Sequence, residues 1–316
     1  MKDAYNKHPY TGLLFCCLVF FFCPYCNLRT EKEPMSFKSY PNLQIGFSTQ
    51  NFQKAMPVNV QTLTECLTYA STEGYQFIEL RDDFAKLDKV DCEVLAEMAK
   101  KYKIAVIYEI QINPLDSLYP EVFARALSNV QRFPGPGILR SLLSKSEFEA
   151  DPGKKGWTDA ELRRLVKLTD SCSDIASAKK IQIVFENLNE PFFGVDSMYR
   201  GLDNYFSATA GTGLQFDIGN AFRNSSRVKA DPEKVFAYLS SLGNRWVTTH
   251  LKTLQQGESQ PYLTENPLSL EKVIKLMAEL NVRYATLELL PVSDKQQCFD
   301  NHARSLRFLK EKGILN

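Results

Sequence analysis

Histidine is scarce in this chain: three in 316 residues, at His8, His250 and His302. That scarcity excludes centres built from several imidazoles and leaves any metal site to carboxylate oxygen for the most part. Neither sign of charge is in excess, with 38 Lys and Arg against 37 Asp and Glu and a net charge of +1. A nucleic-acid partner held by a basic face is therefore not expected. There is no run of like charges, no low-complexity tract and no short internal repeat. Cysteines at metal-ligand spacing are missing too: Cys66, Cys92, Cys172 and Cys298 are scattered, and Cys16, Cys17, Cys23 and Cys26 crowd the N-terminus. Such spacing speaks against a cysteine-ligated metal site and against a disulfide framework. The first strand-like segment runs on from Phe47 to Phe52 as FSTQNF, without the Gly-rich turn of a dinucleotide-binding sheet.

Long apolar runs are lacking except for one, Leu13–Cys23, preceded by Lys2 and Lys7. It falls short of the roughly 20 residues a membrane span needs and suits the h-region of a secretory signal. The stretch Phe22 to Cys26 offers no small-residue cleavage site. Residues 1–34 are thus expected to be a signal peptide or membrane-tethering leader, with Cys23 or Cys26 as acylation candidates. The competing reading starts the protein at Met35 and keeps it cytoplasmic. No composition break divides residues 35–316, which read as one domain.

What is there is alternation. Strands are expected at Leu43–Ser48, Gln76–Arg81, Ile104–Ile110, Gly137–Leu143, Ile181–Glu186, Leu214–Asp217, Trp246–Leu251 and Tyr284–Leu289. Each is short, apolar or β-branched, and bounded by polar or Gly/Pro residues. Helices are expected at Val58–Thr72, Lys89–Tyr102, Pro120–Gln131, Asp159–Lys179, Pro232–Ser241, Ser269–Leu280 and His302–Lys310, with a further helix between Val195 and Thr209. Thr158-Asp159 and Asp231-Pro232 carry helix-start chemistry. Eight βα units in one chain point to a single closed (β/α)8 TIM barrel, an α/β fold.

Four of the last strands each end in a metal-capable side chain: Glu186, Asp217, His250 and Glu288, about 31 to 38 residues apart. That is the spacing of repeated βα units. Alternate residues of a strand face opposite sides. In phase with the four are Gln182, Val184, Gln215, Thr248 and Thr286, whereas the other phase is apolar, including Ile183, Phe185, Phe216, Val247 and Leu287. The polar phase fits the barrel lumen, and catalytic groups in such barrels lie at the C-terminal strand ends. Three carboxylates and one imidazole suit one divalent ion, Mn2+ or Mg2+ before Co2+ or Zn2+.

On these residues the chain, from about Leu43 onward, resembles the xylose isomerase-like sugar phosphate isomerase/epimerase superfamily, close in pattern to the ketohexose 3-epimerases. The matching motifs are Glu186 in FEN, Asp217 in FDIGN, His250 in THLKT and Glu288 in LELL. The resemblance implies that all four hold the metal and that Glu186 and Glu288 also form the acid/base pair. It implies a metal-dependent sugar isomerase or epimerase moving a proton next to a carbonyl through an enediolate, acting on a small carbohydrate or polyol. Alternatives are a dehydratase of an inosose-like polyol and a non-catalytic carbohydrate-binding barrel. An endonuclease IV-like reading would need several more histidines.

The substrate shell departs from the family. Asn220 stands where a His is frequent, Thr253 where an Asp is frequent, and no Arg follows His250 within the next few residues. Candidate substrate contacts are Lys252, in phase with His250, together with Asn220, Glu79, Glu109 at the end of the third strand, and Trp157 in the loop after the fourth. Glu79 has a structural alternative as a lumen ion pair with Arg81, and His302 reads as structural.

Overall fold

The computed structural model describes residues 33–143, 156–188, 190–194, 197–222, 231–265 and 269–316. The leader lies outside the described residues except for its last two positions. Ten strands are described: β1 (Gln44–Ser48), β2 (Phe77–Arg81), β3 (Ala105–Glu109), β4 (Ile138–Leu142), β5 (Gln182–Glu186), β6 (Gly213–Asp217), β7 (Trp246–Leu251), β8 (Leu254–Gln255), β9 (Glu258–Ser259) and β10 (Tyr284–Leu287). All but β8 and β9, which pair as a small antiparallel hairpin, close into a parallel barrel in the order β1-β10-β7-β6-β5-β4-β3-β2. The helices are α1 (Val60–Glu73), α2 (Lys89–Tyr102), α3 (Tyr119–Val130), α4 (Asp159–Ser177), α5 (Leu202–Ala208), α6 (Pro232–Leu242), α7 (Leu270–Glu279) and α8 (Lys295–Glu311). The fold is a (β/α)8 barrel. Among the described residues no helix is long and apolar enough to cross a membrane.

Local chemistry sets the helix ends. Asn59 and Thr62 form a reciprocal capping box at α1, and Thr158 and Glu161 form another at α4. Asp88, Asp231, Ser269 and Asp294 accept backbone N–H groups at four further starts. The last helix begins at Lys295 rather than at His302, seven residues earlier than the apolar pattern suggests. Its buried face includes Asn301, His302 and Ser305, so hydrophobic periodicity does not mark it. The four cysteines of the barrel are buried free thiols, and burial pushes that of Cys66 up to about 12.

The lumen has two characters. Near the N-terminal strand ends Phe77, Ile107, Ile138 and Val184 form a separate apolar cluster, with Ala105, Val247 and Tyr284 packed on it. A Cβ on Gly46 would come within 2.6 Å of the Phe77 ring, so the bare glycine is what admits this plug. The inward phase is therefore polar in the C-terminal half only. Gln182, expected in the lumen, is exposed at the start of β5. Val247, expected against the helices, packs on the plug instead. The cause is a register shift: Leu214 pairs with Trp246 and Gln215 with Thr248, leaving Val247 as the extra residue of a bulge. Beyond the bulge the phase recovers, and His250 points where alternation places it.

Candidate metal centre

Glu186 and Asp217 end β5 and β6, His250 lies one residue before the end of β7, and Glu288 follows β10 directly. All four are buried, and one ligand atom from each lies within 4.8 Å of the others. His250 Nδ1 is 3.4 Å from Asp217 Oδ2 and 3.5 Å from Glu186 Oε1, and it contacts Glu288 Oε2. A six-coordinate ion with bonds near 2.1 Å sets adjacent ligand atoms about 3 Å apart and opposite ones about 4.2 Å apart. The spacing fits one such ion. Buried His250 Nδ1 and Glu288 Oε2 also lack a hydrogen bond of good geometry, which a shared cation would answer.

The imidazole is oriented from behind. Glu79 Oε2 lies 2.8 Å from His250 Nε2, and Gln215 Nε2 donates to both Glu79 oxygens at 2.9 and 3.1 Å. These partners assign the proton to Nε2 and turn the Nδ1 lone pair toward the three carboxylates. Without a cation the surrounding carboxylates favour a second proton on the ring. Burial opposes that charge, yet Glu79 and Glu288 carry His250 well above its ordinary value. Burial likewise opposes ionisation of Glu288, but Lys252 and His250 hold it well below the usual carboxylate range. A metal ion would replace the second imidazole proton.

Each remaining ligand has its own support. Asp217 Oδ1 accepts the N–H groups of Gly219 and Asn220, both at 2.7 Å, leaving Oδ2 to face the site. The Asn187 carboxamide brackets the Asp217 backbone, donating to its carbonyl at 3.0 Å and accepting its N–H at 2.7 Å. Asn220 Nδ2 donates to Glu186 Oε1 at 2.9 Å. Lys252 Nζ lies 2.8 Å from Asp217 Oδ2 and 3.2 Å from Glu288 Oε1.

Arg140, from β4, is the cation at the centre of the lumen. It is 1% exposed, donates to Glu109 Oε1 at 2.7 Å and to Gln215 Oε1 at 3.2 Å, and pairs closely with Glu186 Oε2. Its inward phase was readable from the β4 alternation, but the Pro/Gly-rich approach to that strand obscured it. Asn187 carried no signal, because its contacts are to backbone of another strand.

Of the expected substrate contacts, Lys252 and Asn220 stand beside the quartet. Glu79 lies behind His250 with both oxygens engaged; its ion partners are His250 and Arg140, the latter at 3.9 Å, rather than Arg81. Arg81 turns instead to Asp83, and to Glu109 at 3.7 Å. Glu109 is held by Arg140, and its carboxyl is raised chiefly by burial, with Arg140 opposing. Trp157 has no exposed surface: two backbone bonds to Arg200 turn its ring into the core beside Tyr205.

No family model matches the sequence, and no curated protein matches it. Solved structures do. The chain is similar to a D-allulose 3-epimerase from Methylomonas sp. in complex with D-allulose, at 14% identity over 88% of this chain and 99% of that one, with a TM-score of 0.64. It is similar to a 3-keto-D-glucoside 4-epimerase from E. coli, at 16% identity over 85% and 99% of the two chains, TM-score 0.62. A third likeness is to a xylose isomerase-like TIM barrel protein from Mycobacterium smegmatis in complex with magnesium, at 16% identity over 85% and 98%, TM-score 0.58. At such identities it is the fold that is shared: a xylose isomerase-like TIM barrel.

Proposed function

We propose that this barrel is a divalent metal-dependent isomerase or epimerase that moves a proton next to the carbonyl of a small sugar or polyol. The observation that carries the reading is the buried convergence of Glu186, Asp217, His250 and Glu288, with the imidazole turned inward by Glu79. The solved likenesses, two of them sugar epimerases, support it at the level of the fold. Mn2+ or Mg2+ held by the four would polarise the substrate carbonyl and favour the negative charge that develops on its oxygen. Glu288 takes the proton, kept ionised by Lys252, whose ammonium lies 3.2 Å from Oε1. Glu186, held in place by Arg140 and Asn220, delivers a proton of its own from the other side, while the proton that was taken stays on Glu288. Lys252 is the donor best placed to orient a substrate hydroxyl group, because Asn220 Nδ2 already donates to Glu186 Oε1 and to the Asn187 carbonyl.

One feature favours a second reading, loss of water from an inosose-like polyol. Arg140 and Asn220 engage both oxygens of Glu186, as Lys252 and His250 engage both of Glu288. The guanidinium against Glu186, however, favours its ionised form over the protonated one that would deliver a proton. An elimination can run on one carboxyl: Glu288 takes the proton from carbon and then gives it to the departing hydroxyl, which leaves as water. Solvent deuterium incorporation across ketoses, inososes and 3-keto sugars with added Mn2+ tests both readings, and product analysis separates them. Glu186→Gln and Glu288→Gln should lose metal binding and exchange together. A protein that binds no metal and exchanges no proton into any of these substrates would leave the carbohydrate-binding barrel instead. Export through residues 1–34 is part of the proposal, and N-terminal sequencing of the mature protein tests it; a mature chain beginning at Met1 would exclude cleavage.

A further inference from the structure

Asn51 sits in the turn after β1, buried at 3% exposure. Its Nδ2 donates to the carbonyl of Leu287 at 2.9 Å, and its Oδ1 accepts the N–H of Leu289 at 2.8 Å. Glu288 is the residue between them. These are the two bonds a neighbouring strand would make, and the β1–β10 ladder itself stops at Phe47 and Leu287. The carboxamide thus carries the seam one step further and clamps the backbone on both sides of Glu288. Asn187 holds Asp217 by that residue's own N–H and carbonyl, so the backbone at two of the four ligands is held by an asparagine side chain.

Asn51 is braced in turn. Because Oδ1 must accept from Leu289, Nδ2 is fixed as the donor, and its second proton is directed at His302 Nε2, 3.1 Å away. Nε2 is then an acceptor, and the neutral ring carries its proton on Nδ1, 3.1 Å from the Tyr75 hydroxyl. The ring is fully buried, stacked on Phe52 at 5.0 Å and edged by Phe47, Tyr69 and Tyr75. None of these side chains is among the four ligands.

We propose that Asn51, braced by His302 and Tyr75, is a positioning residue that sets Glu288 and through it the affinity of the cation site. The inference rests on the metal reading above. It is tested by titrating Mn2+ calorimetrically into wild type, Asn51→Ala, His302→Leu, His302→Gln and Tyr75→Phe, with the Mn2+ electron paramagnetic resonance spectrum as a second readout.

Wild type should bind one Mn2+. Asn51→Ala and His302→Leu should bind about 10- to 100-fold more weakly, as removal of an outer-shell partner typically does, and show an altered spectrum. His302→Gln, which keeps an acceptor for Asn51, should recover most of the affinity. Tyr75→Phe, which deletes one hydroxyl, should show a smaller loss. A merely structural role would lower the melting temperature of the variants and leave Mn2+ affinity and spectrum unchanged in the folded protein; that result overturns the proposal. Should Asn51→Ala not fold, unchanged binding in folded His302→Leu and Tyr75→Phe overturns it equally. If wild type itself binds no Mn2+, the metal reading falls and takes this inference with it. If wild type binds and every folded variant binds alike, this inference alone falls.

Discussion

Replacing His302 by Gln should flatten the acid limb of the protein's stability. Burial lowers His302 from 6.5 to about 3, and among the described residues no carboxylate faces the ring; the titratable groups against it are the hydroxyls of Tyr69 and Tyr75. Between those two values the unfolded chain carries a proton that the folded protein refuses. The His302 contribution to stability is therefore complete above pH 6.5 and is lost as pH falls from 6.5 toward 3. With 1.36 kcal/mol per unit of separation, the loss between pH 7 and pH 5 comes to about 2 kcal/mol.

Urea unfolding of metal-free protein at pH 7, 6 and 5 measures it, with the fluorescence of buried Trp157 and Trp246 as probe. His250 acts in the opposite sense. Its raised value favours the folded state in acid, but it is present in both proteins and cancels in the difference. Wild type should lose about 2 kcal/mol more than His302→Gln on going from pH 7 to pH 5. A difference between the two proteins that stays constant with pH would refute a neutral, desolvated His302.

Arg140→Met should destabilise the protein by about 3–5 kcal/mol, because it leaves Glu109 and Glu186 buried without their cation, and the urea midpoint would register it. Gly46→Ala should cost about 1–3 kcal/mol by driving a methyl into the Phe77 ring, again read from the urea midpoint; an unchanged value would show that the plug yields. Lys252→Met should lower the melting temperature of metal-free protein, since Asp217 and Glu288 lose the ammonium between them. Added Mn2+ should then raise that temperature further in the variant than in wild type, because a competitor for the same oxygens is gone.

The barrel was legible because parallel strands covered on both faces read as short apolar segments, and all eight expected strands match observed ones to within two residues at either end. The quartet was legible because alternation places strand-end residues on one face. Three things were not. The bulge at Val247 leaves no mark in composition, and it reverses the facing of one residue only. Arg140 sits among apolar neighbours in β4, where a charge reads as a strand edge until the lumen is seen to be ionic. Asn51 and Asn187 act on the backbone of distant strands, a role that side-chain pattern cannot carry. The direction of the Trp157 ring is of the same kind: bonding between its loop and Arg200 decides which way it turns.

The bracket around Glu288 also bears on the order in which the molecule assembles. Asn51 reaches Leu287 across 236 residues and His302 across 251, whereas Asn187 reaches Asp217 across 30. Loop-closure entropy makes the long contacts costlier by about 2 kcal/mol, from about 3 for a 30-residue loop to about 5 for 250. Glu186, Asp217 and His250 can gather as neighbouring units form, but Glu288 is locked only when the first and last strands meet. Mn2+ uptake during refolding should therefore be a late event, and its rate a direct clock for closure of the ring.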